Sequence, residues 1–268
     1  MLTYDSLIEQ AKVRQMPTSK VRGILREYLQ VLVLKELYKQ TKSLFFTGGT
    51  YLRLVHNLKR FSEDLDFNAS NMDRVLFEGI LKKIKIELER VGIKLALEFG
   101  HWDNIYVSKL IFPDIEKSYN VISKYSQKSG IIIKVETNNP KWEIKPDTQL
   151  ISAFGELYPC ICTEKGALFA DKIDALNKKN RARHIYDIMF MLSNKYPINI
   201  DVLRALGIKS NPLDSIIKRI EDFSNDELKK QAETLRPFLF EETEADLIVN
   251  AKQTIPLLIE KYSIKPKF

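Results

Sequence analysis

The chain has 268 residues, 44% hydrophobic and 29% charged, and carries a net charge of +7. That composition is ordinary for a globular protein and excludes a disordered or low-complexity chain. No uncharged apolar run reaches about 18 residues, so no membrane-spanning helix is expected. The opening MLTYDSLIEQAKVRQ has acidic residues and no apolar core, unlike a secretory signal. The basic balance permits a polyanionic partner without requiring one.

Residues 5–15 and 19–39 read as helices, the second striped by Val21, Ile24, Leu25, Tyr28, Leu29, Leu32 and Val33. Pro17 separates them, and Thr18-Ser19 offers an N-cap. Leu44-Phe45-Phe46 is too short for a helix and suits a buried strand. Gly48-Gly49-Thr50 follows, then Tyr51, Leu52, Leu54, Val55 and Leu58 at helical spacing, then Asp64-Leu65-Asp66-Phe67. Residues 72–91 read as a helix with Val75, Leu76, Ile80, Leu81, Ile84, Leu88 and Val91 on one side and Gly92 as its stop. Strands are expected over 93–99, 104–112, 131–136 and 157–162, with a turn at Asn138-Asn139-Pro140. From Glu164 onward the pattern is helical, over 164–178, 181–195, 201–206, 211–223, 226–237 and 242–262, with breaks at Pro197, Pro212 and Pro237. This order predicts an α+β fold, with a mixed-sheet domain over 1–163 and a helical domain over 164–268 that completes a cleft.

The stretch from Leu44 to Asn68 concentrates the chemistry. Glycines at a strand-to-helix junction let backbone N–H groups approach a phosphate, and a helix N-terminus favours an anion. The alternative is a tight turn without a ligand. In a strand, residues two apart share a face, so Asp64 and Asp66 would present paired carboxylates. They could be ordinary solvent-facing charges, or they could hold Mg²⁺ together with substrate phosphates. An antiparallel return strand would bring the glycine turn near one end of this pair. Glu136, ending the strand IIIKVE, suits a third carboxylate for a two-metal clamp. Arg60 could steady a triphosphate or cap a helix. Ser62 lies beside it, and Arg53 is expected in solvent.

Residues 165–184 hold six Lys/Arg against two Asp. They form either a solvated basic stretch or, with Lys172, a contact for nucleotide phosphate or RNA. Asp187 either bridges Arg183 one turn earlier or orients Lys172. His56, His101 and His184 show no ligand spacing. Cys160 and Cys162 make neither a zinc site nor a disulfide framework, and fit two small buried residues in a reducing cytosol.

Taken together, GGTYLR, RFSEDLDF, KIDAL and Arg183-His184-Ile185-Tyr186-Asp187 resemble the AbiEii/AbiGii-type nucleotidyltransferase toxins, close to the MenA group. The resemblance covers roughly residues 40–195. It implies a nucleotidyltransferase sheet core of DNA polymerase β type, a helical C-terminal half and a cytoplasmic enzyme. It implies that Gly48, Gly49 and Thr50 hold nucleotide phosphates and that Asp64 and Asp66 bind Mg²⁺ (or Mn²⁺). Lys172 would contact the nucleotide, Asp187 would be a further essential acid, and Glu136 a less regular third carboxylate. An NTP would be the substrate, the 3′ end of tRNA or another RNA the acceptor, and a separate antitoxin the partner. The family pattern R-D-x-x-D carries His184 in place of its first Asp, and Lys165 competes with Lys172 for the lysine role. Two other readings stand beside this one. In the first, a transferase of the same kind acts on a protein or small-molecule hydroxyl. In the second, the chain is a nucleotide-binding or protein-interaction module with a decayed site.

Overall fold

The computed structural model describes residues 1–103, 105–121 and 130–264. Two compact units divide the chain. The first comprises Met1–Pro140 with Ile144–Thr163, and the second Lys141–Glu143 with Glu164–Phe268.

The first unit opens with α1 (Tyr4–Val13) and α2 (Val21–Gln40). The Thr3 hydroxyl caps α1 by accepting from the Ser6 N–H. Along α2 most of the expected stripe turns inward, with Ile24, Leu25, Leu29 and Val33 fully buried and Val21 and Leu32 half-buried; Leu37, outside the stripe, is buried as well. Next come β1 (Leu44–Thr47), α3 (Gly48–His56), β2 (Leu65–Ala69) and α4 (Arg74–Arg90). Asp73 caps α4, and Phe77, Ile80, Leu81, Ile84 and Leu88 form its buried face. Val75, Leu76 and Val91, expected on that side, point to solvent. Val75 and Leu76 lie in the first turn of α4, and Val91 is its C-cap.

The sheet is completed by β3 (Ala96–Trp102), β4 (Ile105–Phe112), the short α5 (Ile115–Ser118), β5 (Ile131–Asn138), β6 (Pro146–Ala153) and β7 (Glu156–Thr163). The strand expected over 104–112 starts at Ile105, Asn104 lying outside the described residues. The seven strands run in the order β3-β4-β5-β2-β1-β7-β6. β1 pairs antiparallel with β2 and parallel with β7, and β2 pairs parallel with β5. The hairpins β3–β4 and β6–β7 are antiparallel and place β3 and β6 at the edges. On β5, Ile131, Ile133 and Val135 are completely buried, the alternation that pins its register.

The second unit contains α6 (Lys165–Lys178), α7 (Ala182–Ser193), α8 (Ile200–Ala205), α9 (Pro212–Glu221), α10 (Asn225–Leu235), α11 (Asp246–Val249) and α12 (Ala251–Ser263). Its caps follow the sequence closely. Asn199 and Asn211 cap α8 and α9, and Ser224 with Glu227 forms a capping box on α10. The single helix expected over 242–262 is divided. Glu242–Ala245 is 3₁₀, and Asn250 leaves helical geometry between α11 and α12. No helix among the described residues is long and apolar enough to cross a membrane.

Candidate active site

The antiparallel return of β2 along β1 sets Thr47 opposite Asp66. Gly48 therefore begins α3 beside the Asp66 carboxylate. Its φ is +80°, and a Cβ there would strike the Asp66 side chain. At Gly49 a Cβ would lie 2.5 Å from Arg60 Nη2 and 2.9 Å from Ser62 Oγ. The turn is thus held between Asp66 on one side and Arg60 with Ser62 on the other. The Thr50 hydroxyl donates to the Asp64 carbonyl at 2.5 Å and ties the start of α3 to the start of β2. Thr47, the N-cap, makes no side-chain cap. The Thr47 side chain thus leaves the first-turn amides of α3 to other acceptors.

Two arginines near the turn are buried. Arg60 is buried, and its Nη1 donates to the Phe61 carbonyl at 3.0 Å. Its guanidinium supports the glycine turn from within the fold. Arg53, expected in solvent, is 1% exposed. Its Nε donates to Glu27 at 2.8 Å, and its Nη1 donates to Asn57 Oδ1 and the Leu58 carbonyl. Arg14 donates to the second oxygen of Glu27 at 3.1 Å. A guanidinium can be buried only with such pairing. Spacing along α3 could not disclose that an acid on α2 stands behind it.

The parallel register of β2 and β5 makes Asp66 and Glu136 direct neighbours on one face. Asp64 precedes β2 by one residue. Lys134 joins them, its Nζ 2.8 Å from Glu136 Oε2 and 3.9 Å from Asp64 Oδ2. Burial lowers the Lys134 pKa, but the hydrogen bond to Glu136 and the charges of Asp64, Glu136 and Asp66 outweigh it and raise it. Three carboxylates thus act on one cation, and their hard oxygens are the donors that Mg²⁺ or Mn²⁺ takes. Among the described residues, no three His, Cys, Asp or Glu side chains form a closed metal cage. Mg²⁺ is commonly held by one or two carboxylates together with substrate phosphates, and Asp64 and Asp66 are the carboxylates that could serve so.

In the second unit, Lys172 on α6 donates to Asp187 on α7 at 2.7 Å, with the two side chains 8% and 0% exposed. The Asp187 carboxylate thus holds the Lys172 ammonium. Lys165 lies over the Tyr196 ring, 5.3 Å from its centre. Lys172 is therefore the buried, acid-oriented lysine. His184 sits one turn before Asp187, buried, with neither ring nitrogen hydrogen-bonded. Burial first, then the positive charges of Lys172, Arg183 and Arg181, lower its pKa to about 3 against an opposing pull from Asp187. It is a neutral imidazole. Lys178, Lys179 and Arg181 are exposed, with Lys178 reaching Asp174 at 2.7 Å. The Cys160 and Cys162 sulfurs lie 3.4 Å apart on β7, both buried.

Lys134, Glu27 and the Arg53 pairing were not expected. Alternation along IIIKVE already put Lys134 on the Glu136 face, which was the one signal for it.

Residues 32–254 match the family described as "Nucleotidyl transferase AbiEii toxin, Type IV TA system". No protein of curated function matches the chain. Among solved structures, MenT4, a nucleotidyltransferase toxin from Mycobacterium tuberculosis H37Rv, superposes with a TM-score of 0.60 at 16% identity, covering 99% of this chain and 91% of that one. JHP933 from Helicobacter pylori gives a TM-score of 0.55 at 16% identity, covering 90% and 93%. At such identities the likeness is one of fold.

Proposed function

Since the chain belongs to the AbiEii nucleotidyltransferase toxin family of type IV toxin–antitoxin systems, we propose that it transfers a nucleotide from an NTP to an acceptor hydroxyl at the 3′ end of tRNA. The observation that carries this is the junction of the glycine turn with the Asp pair. Gly48 lies against the Asp66 carboxylate, and Thr50 holds the Asp64 backbone. A phosphate binder and a carboxylate pair are thereby built from one continuous stretch.

Gly48, Gly49 and Thr50 receive the nucleotide phosphates at the uncapped start of α3. Arg60 and Ser62 brace the turn so that its amides keep their direction. Asp64 and Asp66 would hold Mg²⁺ (or Mn²⁺), with Glu136 beside them, and that ion would supply positive charge at the phosphates when bound. The acceptor oxygen forms a bond to the α-phosphorus, the bond to the bridging oxygen of pyrophosphate breaks, and the acceptor proton passes to solvent. Positioning and charge stabilisation supply most of the rate. In the second unit, Asp187 fixes the direction of the Lys172 ammonium. A cognate antitoxin restrains the activity in the cell.

The test incubates the full chain with each labelled NTP and total tRNA, with and without Mg²⁺. The expected outcome is metal-dependent label transfer from at least one NTP, lost in Asp66→Ala. Absence of transfer from every NTP, or equal transfer by Asp66→Ala, refutes it.

A further inference from the structure

The strand register lays the carboxylate face out as a row. Thr47 on β1 stands opposite Asp66 on β2, Asp66 beside Glu136 on β5, Glu136 opposite Val107 on β4, and Val107 opposite Gly100 on β3. Directly paired residues share a face of the sheet. Two residues along each strand, the same face carries a second row of Asn138, Ile105 and Trp102. The opposite face of β3 and β4 packs on α4. There the Phe77 and Tyr106 ring centres lie 6.0 Å apart, and Lys82 lies over Phe99. On the carboxylate face, Gly100 and Asn138 are exposed, Ile105 is half-buried and Trp102 is 54% exposed.

Two of these residues point to a ligand. Glycine weakens a strand interior and marks places where a ligand comes close to the backbone. The fold itself does not require Gly100. Its φ is not positive, and a Cβ there would meet nothing within 4 Å among the described residues. Trp102 holds a large ring out in solvent, and such rings are platforms for stacking nucleic-acid bases. Val107, Gly100, Ile105 and Asn138 lie between that ring and the carboxylates, and none is charged. The surface between suits flat, uncharged planes better than phosphates.

The chemistry decides which reactant lies on this side. In an in-line displacement the attacking and leaving oxygens stand on opposite sides of the phosphorus. In the function proposed above, the phosphates, and so the leaving pyrophosphate, lie at the glycine turn, at the β1 end of the row. The acceptor hydroxyl then enters from the other end, over β5, β4 and β3. Trp102 is on the third strand beyond Asp66, about 14 Å across the sheet at the usual strand spacing. That is a few nucleotides back from the reacting terminus.

We propose that the open face of β4 and β3 is the acceptor track: the single-stranded 3′ end of an RNA lies across it, close to Gly100, with one base stacked on Trp102. This deepens the nucleotidyltransferase function proposed above and rests on it. Base pairing would hide the faces that Trp102 takes, so the RNA is single-stranded at this point.

The experiment titrates the full chain, without NTP, into a dye-labelled single-stranded RNA of about ten nucleotides, read by fluorescence anisotropy. Label transfer from NTP to the same RNA is then measured. Trp102→Ala is expected to weaken binding roughly five- to 150-fold, the scale of one lost base stack, and Trp102→Tyr to keep most of the affinity. Gly100→Val puts a side chain on the track and weakens binding too, while Tm holds or rises, because a β-branched residue suits a strand better than glycine. A loss caused by misfolding would lower Tm. Both variants raise the KM for RNA, whereas the KM for the NTP, bound at the far end of the row, keeps its wild-type value. A blunt duplex binds more weakly than the single strand. If the unmutated chain transfers label but Trp102→Ala or Gly100→Val keeps its affinity and RNA KM, or the duplex binds equally well, the inference alone is overturned. If the unmutated chain neither binds nor labels any RNA, or labels protein instead, the inference and the proposed acceptor fall together.

Discussion

Gly48→Ala separates the strain of a backbone from the contact behind it. Gly48 and Gly92 share nearly the same φ, +80° and +82°, but a Cβ at Gly92 meets nothing within 4 Å. At Gly48 the same methyl meets the Asp66 carboxylate, with Asp66 Cβ at 3.0 Å and Cγ at 3.1 Å. Gly92→Ala therefore measures the left-handed cost alone, about 1–2 kcal/mol. Gly48→Ala adds an overpacking cost of about 1–3 kcal/mol. For a unit of this size, that surplus lowers Tm by roughly 2–12 °C beyond the Gly92→Ala shift. Thermal unfolding of the full chain followed by circular dichroism reads the difference. Combining Gly48→Ala with Asp66→Ala removes the carboxylate and leaves only the Cβ contact, so a double-mutant cycle should return most of the surplus. Equal destabilisation by Gly48→Ala and Gly92→Ala, or a cycle without coupling, would refute the packing of the turn on Asp66. Mn²⁺ binding should fall in Gly48→Ala and remain intact in Gly92→Ala.

Two further outcomes follow from the second unit. His184 has a pKa near 3 in the folded chain against 6.5 when unperturbed. Its contribution to stability is complete above pH 6.5 and is lost progressively as pH falls toward 3, because the unfolded chain takes up the proton first. His184→Leu should flatten that part of a urea-midpoint profile, and an unchanged slope would discount the buried neutral imidazole. Lys172→Met removes one ion-pair partner of a carboxylate that is 0% exposed, and should cost up to about 3–5 kcal/mol. Adding Asp187→Leu should restore part of that loss in urea denaturation.

Much of the first unit was legible because its signals are local. An apolar run, two glycines, a helical stripe and an alternating Asp pair lie within twenty-five residues, and the fold closes them on one another. Glu136 was legible because β5 is buried on one face, leaving the alternation clear. β6 was missed for the opposite reason. It is an edge strand whose Thr148, Leu150 and Ser152 face solvent, so no apolar period marks it. Arg53 and Lys134 were misjudged or passed over because their partners are distant in sequence or on a neighbouring register. Glu27 lies on α2, and Asp64 is brought to Lys134 only by the pairing of β2 with β5. The division of the last helix at Asn250 had no proline or glycine to announce it.

The strand order also sets a schedule for the growing chain. β1 and β2 can pair once residue 69 has left the ribosome, because only α3 and a short connection separate them. The other edge of β1 stays open until β7 arrives, with Phe46 waiting for Cys162. At a synthesis rate of about 5–20 residues per second, that interval lasts roughly 5–20 s. Throughout it, an apolar strand offers unpaired backbone groups to any neighbour. The chain is most prone to misassociation while it is still being made, and the delay is written into the late return of β7.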